Sequence, residues 1–355
     1  MPQGDHAIIL KFGRLFVTGQ FMKFGLRLAD WFGSSQNMVR LAILAEHEGF
    51  DHCWISHDVF MRSSFVTLSA IGVQTRRMML GNTVLNPYTM NPSEIAMFLA
   101  TLDELTAGRV TLGISAGALE YLDWLGLEHP RPLTRTKECV DLVRKLLSGE
   151  RAKYSGREFI WSPECYMRFT PVRKHIPVYI GGQGDRMLEY SGEAGDGSLP
   201  LLYPPEFASY AVQKIHEGAK KAGRNPEDVD IAGCVWISIA RDTEEAITDG
   251  LKELVAYFGP LLGKKGLASV GLTHEDFAEV HSTFKKEGLP AASKLVERKM
   301  LRLAIYGNEE DCIKKVEELE RAGVNQVLFG SPLGPEPEEA IKTIGRKIIP
   351  YFRGR

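Results

Sequence analysis

Short apolar segments alternate with amphipathic segments along most of the chain. Residues 23–28 form an apolar-rich run bounded by polar positions, as expected of a buried strand. In the segment that follows, apolar residues recur at helical spacing, Ser34 or Ser35 can cap the first turn, and Gly49 can end the helix. The same strand-then-helix pattern repeats to the end of the chain.

This repeat predicts eight strands, each followed by helical sequence. The predicted strands cover residues 23–28, 50–56, 78–85, 110–117, 176–184, 197–202, 230–240 and 325–332. Strands that alternate with helices favour a parallel sheet, and eight such units favour an α/β fold of the closed (β/α)8 TIM-barrel type. An open doubly wound sheet is the competing topology.

The domain prediction is one barrel with additions. Residues 1–21 have a short apolar stretch followed by basic residues, the reverse of a signal peptide, and we interpret them as a leader or extension. Residues 22–355 form the single predicted barrel. Residues 153–173 and 259–299 do not fit the repeat and are predicted insertions, which in barrels commonly cover the mouth of the active site.

Composition narrows the class of protein. Hydrophobic residues make up 44% of the chain and charged residues 25%, with a net charge of −2, so nothing favours nucleic acid or a membrane as partner. None of the five cysteines stands in a C-x-x-C motif, and their number is odd. We therefore expect reduced thiols in a cytoplasmic protein and no metal site.

Glycine-rich turns follow two predicted strands, and in a barrel the strand ends form the active site. The first turn comprises Ser115, Ala116 and Gly117, and the second comprises Gly181, Gly182, Gln183 and Gly184. Glycines let backbone N–H groups face a ligand, and a helix N-terminus favours an anion. Each turn alone fits an ordinary strand-to-helix connection, but the pair favours a phosphate-bearing cofactor.

Titratable residues also lie at the strand ends. His57 and Asp58 follow the second strand, and either could act as acid or base near neutral pH. A histidine at the barrel rim could instead serve only as a hydrogen-bonding group. Asp30, after the first strand, could bind a cofactor or simply precede the first helix.

The motifs in residues 80–117 resemble the bacterial luciferase-like superfamily, and within it the branch of the coenzyme F420-dependent methylenetetrahydromethanopterin reductases. The strongest parts are NPY at 86–88, ATLDEL at 100–105 and TLGI at 111–114. IPVYIGGQG at 176–184 and GSPLGP at 330–335 continue the resemblance in order. It covers nearly everything from Met22 onward and is weakest across residues 154–173 and 259–299.

The resemblance implies a deazaflavin (coenzyme F420) or flavin mononucleotide (FMN) at the strand ends. It implies a non-prolyl cis peptide near Thr83-Val84 against the cofactor ring, with Asn86 reaching the ring or the ribityl chain. The phosphate would lie at residues 181–184, with backbone contacts from residues 115–117. Asp30 and Ser56 complete the expected cofactor-binding set.

Two departures bear on the substrate. The family usually has an acid and then a histidine after the second strand, whereas this chain has His57 and then Asp58. The reductases carry a carboxylate in the first strand where this chain has Arg27, so we expect the cofactor class to carry over better than the substrate.

We therefore predict a coenzyme F420-dependent oxidoreductase that transfers hydride to or from a small organic substrate, with His57 or Asp58 exchanging the proton. An FMN-dependent luciferase-like monooxygenase and a non-catalytic flavin-binding protein are the alternatives. A homodimer or higher homo-oligomer is the expected assembly.

Overall fold

The computed structural model describes residues 22–354, and within them eight parallel strands close into a barrel with helices around it. Each of these strands overlaps one of the eight predicted from the sequence, so the (β/α)8 prediction is confirmed and the open sheet is excluded. The predicted extension, residues 1–21, lies outside the described residues. The barrel strands are β1 (Lys23–Leu28), β2 (His52–Ser56), β3 (Met79–Thr83), β4 (Val110–Ile114), β7 (Val178–Gly182), β8 (Gly197–Pro200), β9 (Asp230–Ile239) and β11 (Gln326–Leu333).

The remaining strands decorate the barrel. A two-stranded antiparallel hairpin, β5 (Tyr154–Ser155) and β6 (Ile160–Trp161), lies in the segment that does not fit the repeat. β10 (Ile305–Gly307) pairs with the far half of β9 and has no counterpart among the predicted strands. Three residues are too few to show an alternating pattern, which explains why the sequence does not reveal it.

The helices follow the strands around the outside of the barrel. They are α1 (Ser35–His47), α2 (Ser64–Gln74), α3 (Pro92–Leu105), α4 (Leu119–Trp124), α5 (Pro132–Ser148), α6 (Asp185–Ala194), α7 (Ala208–Lys221), α8 (Thr243–Ala246), α9 (Asp249–Phe258), α10 (Lys264–Ser269), α11 (Ala278–Glu287), α12 (Leu289–Ala292), α13 (Glu309–Arg321), α14 (Pro337–Thr343) and α15 (Ile349–Arg353). None of the helices described is long and apolar enough to cross a membrane.

Alternation along β1 separates two layers of the core. Phe24, Leu26 and Leu28 pack outward among the helices, whereas Gly25 and Arg27 face the interior of the barrel. Trp54 of β2 is fully buried and fills the centre of the barrel. Glycines on the neighbouring strands make room for it: a Cβ at Gly81 would lie 2.3 Å from the Trp54 ring. The interior is therefore a packed core below a polar mouth.

Candidate active site

The carboxyl ends of the strands bring the predicted site residues around one opening. Ser56 pairs with Thr83 across β2 and β3. A Cβ at Gly181, on β7, would lie 3.1 Å from the Val84 side chain and 3.4 Å from Cβ of Ser115. The two glycine-rich turns and the end of β3 are thus neighbours, as their positions in the sequence predict.

The backbone at the end of β3 has the feature that the resemblance implies. The peptide bond between Thr83 and Val84 is cis. The Val84 side chain lies beside Gly181 at the end of β7 and packs against the residues of the barrel interior.

The second glycine turn leads directly into a helix. Gly184 is the N-cap of α6, and no described atom would lie within 4 Å of a Cβ placed there. The first N–H groups of a helix lack partners within the helix, so this end is open to an anion. Beside it, Lys265 of α10 pairs with Asp185 at 2.6 Å, which brings the predicted insertion next to the turn.

Asn86 joins two of the loops at the mouth. Its Nδ2 donates to the backbone oxygen of Ala116 at 2.7 Å, and its Oδ1 accepts from the backbone N–H of Tyr88 at 2.8 Å. Gly117 has a φ of +72°, and a Cβ there would lie 2.6 Å from Asn86 Nδ2, so the close approach of the two loops needs glycine. The Asn86 amide shapes the loops through these contacts.

His57 is tied to the start of α2. Its Nδ1 accepts from the backbone N–H of Ser64 at 3.3 Å and lies 2.9 Å from the Ser64 hydroxyl. The ring stacks on Phe65, with 5.0 Å between the ring centroids. Burial lowers the pKa of His57, which favours the neutral ring at pH 7. The next residue in the chain, Asp58, has a different environment.

The Asp58 carboxyl keeps its proton to a higher pH than an ordinary aspartate. Burial raises its pKa from 3.8 to about 6, although the backbone N–H of Val59 and the charge of Arg27 both lower it. Asp58 Oδ1 accepts from the Val59 N–H at 2.9 Å. A carboxyl with this pKa can exchange a proton near neutral pH.

Arg27 is a residue of the mouth that the predicted site set omits. Its Nε donates to Thr83 Oγ1 at 3.2 Å, and its Nη1 donates to the Tyr203 hydroxyl at 3.0 Å. Burial opposes the charge, but Tyr203, Cys234 and Asp58 raise the pKa of Arg27 above its ordinary value. The alternation along β1 could have placed Arg27 inside the barrel, since it lies two residues after the inward-facing Gly25.

Two tyrosines from distant parts of the chain meet at the same mouth. The hydroxyls of Tyr121 in α4 and Tyr257 in α9 lie 2.9 Å apart. Burial, the hydrogen bond to Tyr257 and the nearby charge of Asp58 raise the pKa of Tyr121. No pattern in the sequence pairs these residues, because 136 positions separate them.

Two further observations describe the chemistry that the mouth can accommodate. The Ser56 hydroxyl is buried and has no hydrogen-bond partner among the described residues, so it is free for a bound ligand. Within the same part of the chain, no group of three or more histidine, cysteine or acidic residues has the arrangement of a metal site.

Sequence comparison identifies the family of this barrel. The model of the luciferase-like monooxygenase family matches residues 21–326. The chain belongs to this family, which confirms the resemblance seen in its motifs.

Comparison with individual relatives shows which members of the family the chain resembles. The chain is 34% identical over 310 residues to the 5,10-methylenetetrahydromethanopterin reductase of Methanolobus tindarius, covering 87% of this chain and 94% of the relative. It is 27% identical to the F420-dependent glucose-6-phosphate dehydrogenase of Microbacterium testaceum, covering 94% and 98%. The structure of the coenzyme F420-dependent tetrahydromethanopterin reductase of Methanopyrus kandleri superposes with a TM-score of 0.88 at 30% identity, covering 94% of this chain and 99% of that one.

Proposed function

We propose that this protein is a coenzyme F420-dependent oxidoreductase that transfers hydride between the deazaflavin and a small organic substrate. Its similarity to the named F420-dependent reductases and dehydrogenases supports the cofactor class. The observation that carries the proposal is the convergence, at one barrel mouth, of an open helix N-terminus, an unpartnered buried hydroxyl and a protonatable carboxyl.

The residues at the mouth fit such a cofactor. The turn formed by Gly181–Gly184 and the start of α6 would hold its phosphate, with backbone contacts from Ser115–Gly117. The buried Ser56 hydroxyl would gain the hydrogen-bond partner that it lacks. Thr83 and Val84 would support the ring, and Asp30, held by Arg62 at 3.1 Å, would border it. When bound, the deazaflavin supplies a ring carbon that gives or takes hydride.

The two predicted catalytic residues then take different roles. Asp58 holds or releases the proton that accompanies hydride transfer, since its pKa of about 6 lets both forms occur near neutral pH. His57 stays neutral and positions the loop between β2 and α2 through its hydrogen bonds to Ser64.

The cofactor class is tested by titrating the purified protein with F420 and, separately, with FMN, and following fluorescence quenching. We expect saturable F420 binding and much weaker FMN binding. Tight FMN binding without F420 binding, together with oxygen uptake by the reduced flavin complex, would instead support the monooxygenase. Binding of either cofactor without turnover of any carbonyl, alcohol or imine substrate would support a non-catalytic flavin-binding protein.

Asp58 is tested by the pH dependence of turnover. We expect the rate of substrate reduction to fall as pH rises above about 6, because the carboxyl then loses the proton that it donates. The Asp58→Asn variant should lose most of the activity and also this limb of the pH profile. An unchanged limb in the variant would assign the proton transfer to another group.

We also propose that the protein works as a homodimer. Val66 and Val73 of α2, and Met97 and Leu105 of α3, are exposed apolar residues on adjacent helices of the first half of the barrel. Light scattering after size exclusion should give twice the mass of one chain, and Met97→Glu should shift the protein to the monomer. A monomeric wild-type protein would contradict the proposal.

We also propose, from the state of its cysteines, that the protein is cytoplasmic. The structure describes all five as free thiols, and all except Cys165 are buried. Buried thiols of this kind are typical of proteins in a reducing compartment. The assignment is tested by fractionation of the native host. Recovery of the protein outside the cytoplasmic fraction would contradict it.

A further inference from the structure

We propose that Arg27 binds the substrate through a hydrogen-bond-accepting oxygen, and that this site therefore selects carbonyl, hydroxyl or carboxylate groups over cationic ones. This inference rests on the proposed function, because it assigns the substrate class of the same barrel mouth. It concerns the contacts and the charge of the Arg27 side chain, and these can be tested separately from cofactor binding.

The hydrogen bonds of Arg27 leave donors available for a ligand. A guanidinium has five N–H donors. Two are used, by Thr83 Oγ1 and by the Tyr203 hydroxyl. Nη2 has no hydrogen-bond acceptor among the described residues, and the residue is only partly buried. At least two N–H donors thus remain for an oxygen atom brought by a ligand.

Arg27 also lacks the ion pair that a buried guanidinium usually has. No carboxylate of residues 22–354 lies within 4 Å of it. Asp58 is close enough for each charge to affect the pKa of the other, yet the two groups form no salt bridge. The two groups therefore lie near each other without a direct contact, and neither uses the other as its hydrogen-bond partner.

The surroundings hold the guanidinium in place. Tyr203 stacks on Trp236 with 4.0 Å between ring centroids, so the hydroxyl that contacts Nη1 is itself fixed. Gly330 has no side chain, and Nη1 lies 3.6 Å from the position that its Cβ would take. A donor held in this way can orient an oxygen without first losing side-chain freedom.

The same charge disfavours a substrate that presents a cation. Two like charges in a partly desolvated space repel each other more strongly than in water. Asp58 is the one carboxyl that acts on the charge of Arg27 among the described residues, and its raised pKa weakens the compensation that it offers a second cation. An iminium or ammonium group next to Arg27 is therefore disfavoured relative to an oxygen acceptor.

Ligand-observed NMR on the F420-loaded protein tests the inference with three probes of similar size: acetone, acetate and tetramethylammonium. We expect saturation transfer to acetone, acetate or both, and none to tetramethylammonium. Arg27→Met and Arg27→Gln should weaken binding of the oxygen probes by about tenfold or more, as for loss of a charged hydrogen bond. If both probes bind, a larger loss for acetate indicates a carboxylate substrate, and equal losses indicate a neutral carbonyl or alcohol.

Lys23→Met is the matched control, because Lys23 is the other basic residue of β1 and pairs with Asp230 away from the mouth. We expect it to leave probe binding unchanged. Oxygen probes that bind the Arg27 variants as well as the wild type, or fail to bind the wild type, would overturn the inference. Binding of tetramethylammonium to the wild type would also overturn the inference, and this measurement does not depend on the folding of any variant.

Cofactor binding is measured on every variant by F420 fluorescence. Absence of F420 binding by the wild type would refute the proposed function. The probes would then be applied to the protein alone, where the effect of the Arg27 substitutions still tests the substrate assignment. Normal F420 binding with an unaltered response to Arg27 substitution would refute only the substrate assignment.

Discussion

Replacing Asp58 with asparagine should make the protein more stable while removing most of its activity. The carboxyl is partly buried, and burial raises its pKa from 3.8 to about 6. The unfolded chain loses this proton near pH 3.8, whereas the folded protein keeps it until about pH 6. Between these values the folded state binds more protons, so the free energy of unfolding falls as pH rises through this window. Asparagine has no proton to lose and avoids that fall.

The size of the effect follows from the shift. The pKa differs by about 2 units between the two states, and each unit corresponds to about 1.4 kcal/mol, which gives an upper bound of about 3 kcal/mol. Because the residue keeps some accessible surface, water screens part of this cost, and we expect a gain of about 1–2 kcal/mol above pH 6. The attraction of Arg27 for the carboxylate is already included in the raised pKa.

The assay is urea unfolding of wild type and Asp58→Asn at several pH values between 4 and 8, followed by circular dichroism. The difference in free energy of unfolding should be small near pH 4, grow to pH 6 and then stay constant. Asp228→Asn, at an exposed carboxylate, serves as control and should show no such growth. A variant that is less stable than the wild type at pH 7 would refute the reasoning, since the ionised carboxylate would then be stabilising.

Three other substitutions probe the cofactor turn and the barrel. Gly184→Asp should weaken F420 binding by about tenfold or more in a fluorescence titration, because the new carboxylate repels the phosphate. The melting temperature of this variant should stay unchanged or rise in thermal unfolding, because Asp is a good N-cap. Gly81→Ala should cost about 1–3 kcal/mol in urea unfolding, because its Cβ would overlap the central tryptophan, whereas Gly263→Ala, with open space around it, should cost little. Arg173→Met should cost about 3–5 kcal/mol by leaving the buried Asp103 carboxylate without its cation, and a cost below 1 kcal/mol would contradict this account.

The barrel could be predicted because its architecture depends on local patterns. Each buried strand is a short apolar run bounded by polar or glycine residues, and some helices have a side-chain cap that the sequence reveals, such as Ser34 before α1 and Asn91 before α3. Strand bounds differ by a few residues: β4 ends at Ile114, whereas the predicted strand continues through the glycine turn to residue 117. The ladder hydrogen bonds that end a strand depend on its neighbours, which a local pattern does not include.

The site could be predicted only in part, because its chemistry depends on contacts between distant residues. The strand-end rule finds Asp58, but it does not distinguish the environment of Asp58 from that of His57, its neighbour in the sequence. The resemblance singles out Arg27 as a departure from the family, but its partners Thr83 and Tyr203 lie 56 and 176 positions away. Only the folded chain brings them together.

In the proposed reaction, the lack of a salt bridge between Arg27 and Asp58 leaves both groups available. A direct salt bridge would use donors of the guanidinium and would lower the pKa of the carboxyl, so that it would no longer hold a proton near neutral pH. With Arg27 held by Thr83 and Tyr203 instead, its charge is kept in place without a carboxylate. The Asp58 carboxyl is then free to titrate near pH 6. In the proposed site, the absence of a bridge therefore leaves both a donor and an acid available to a ligand.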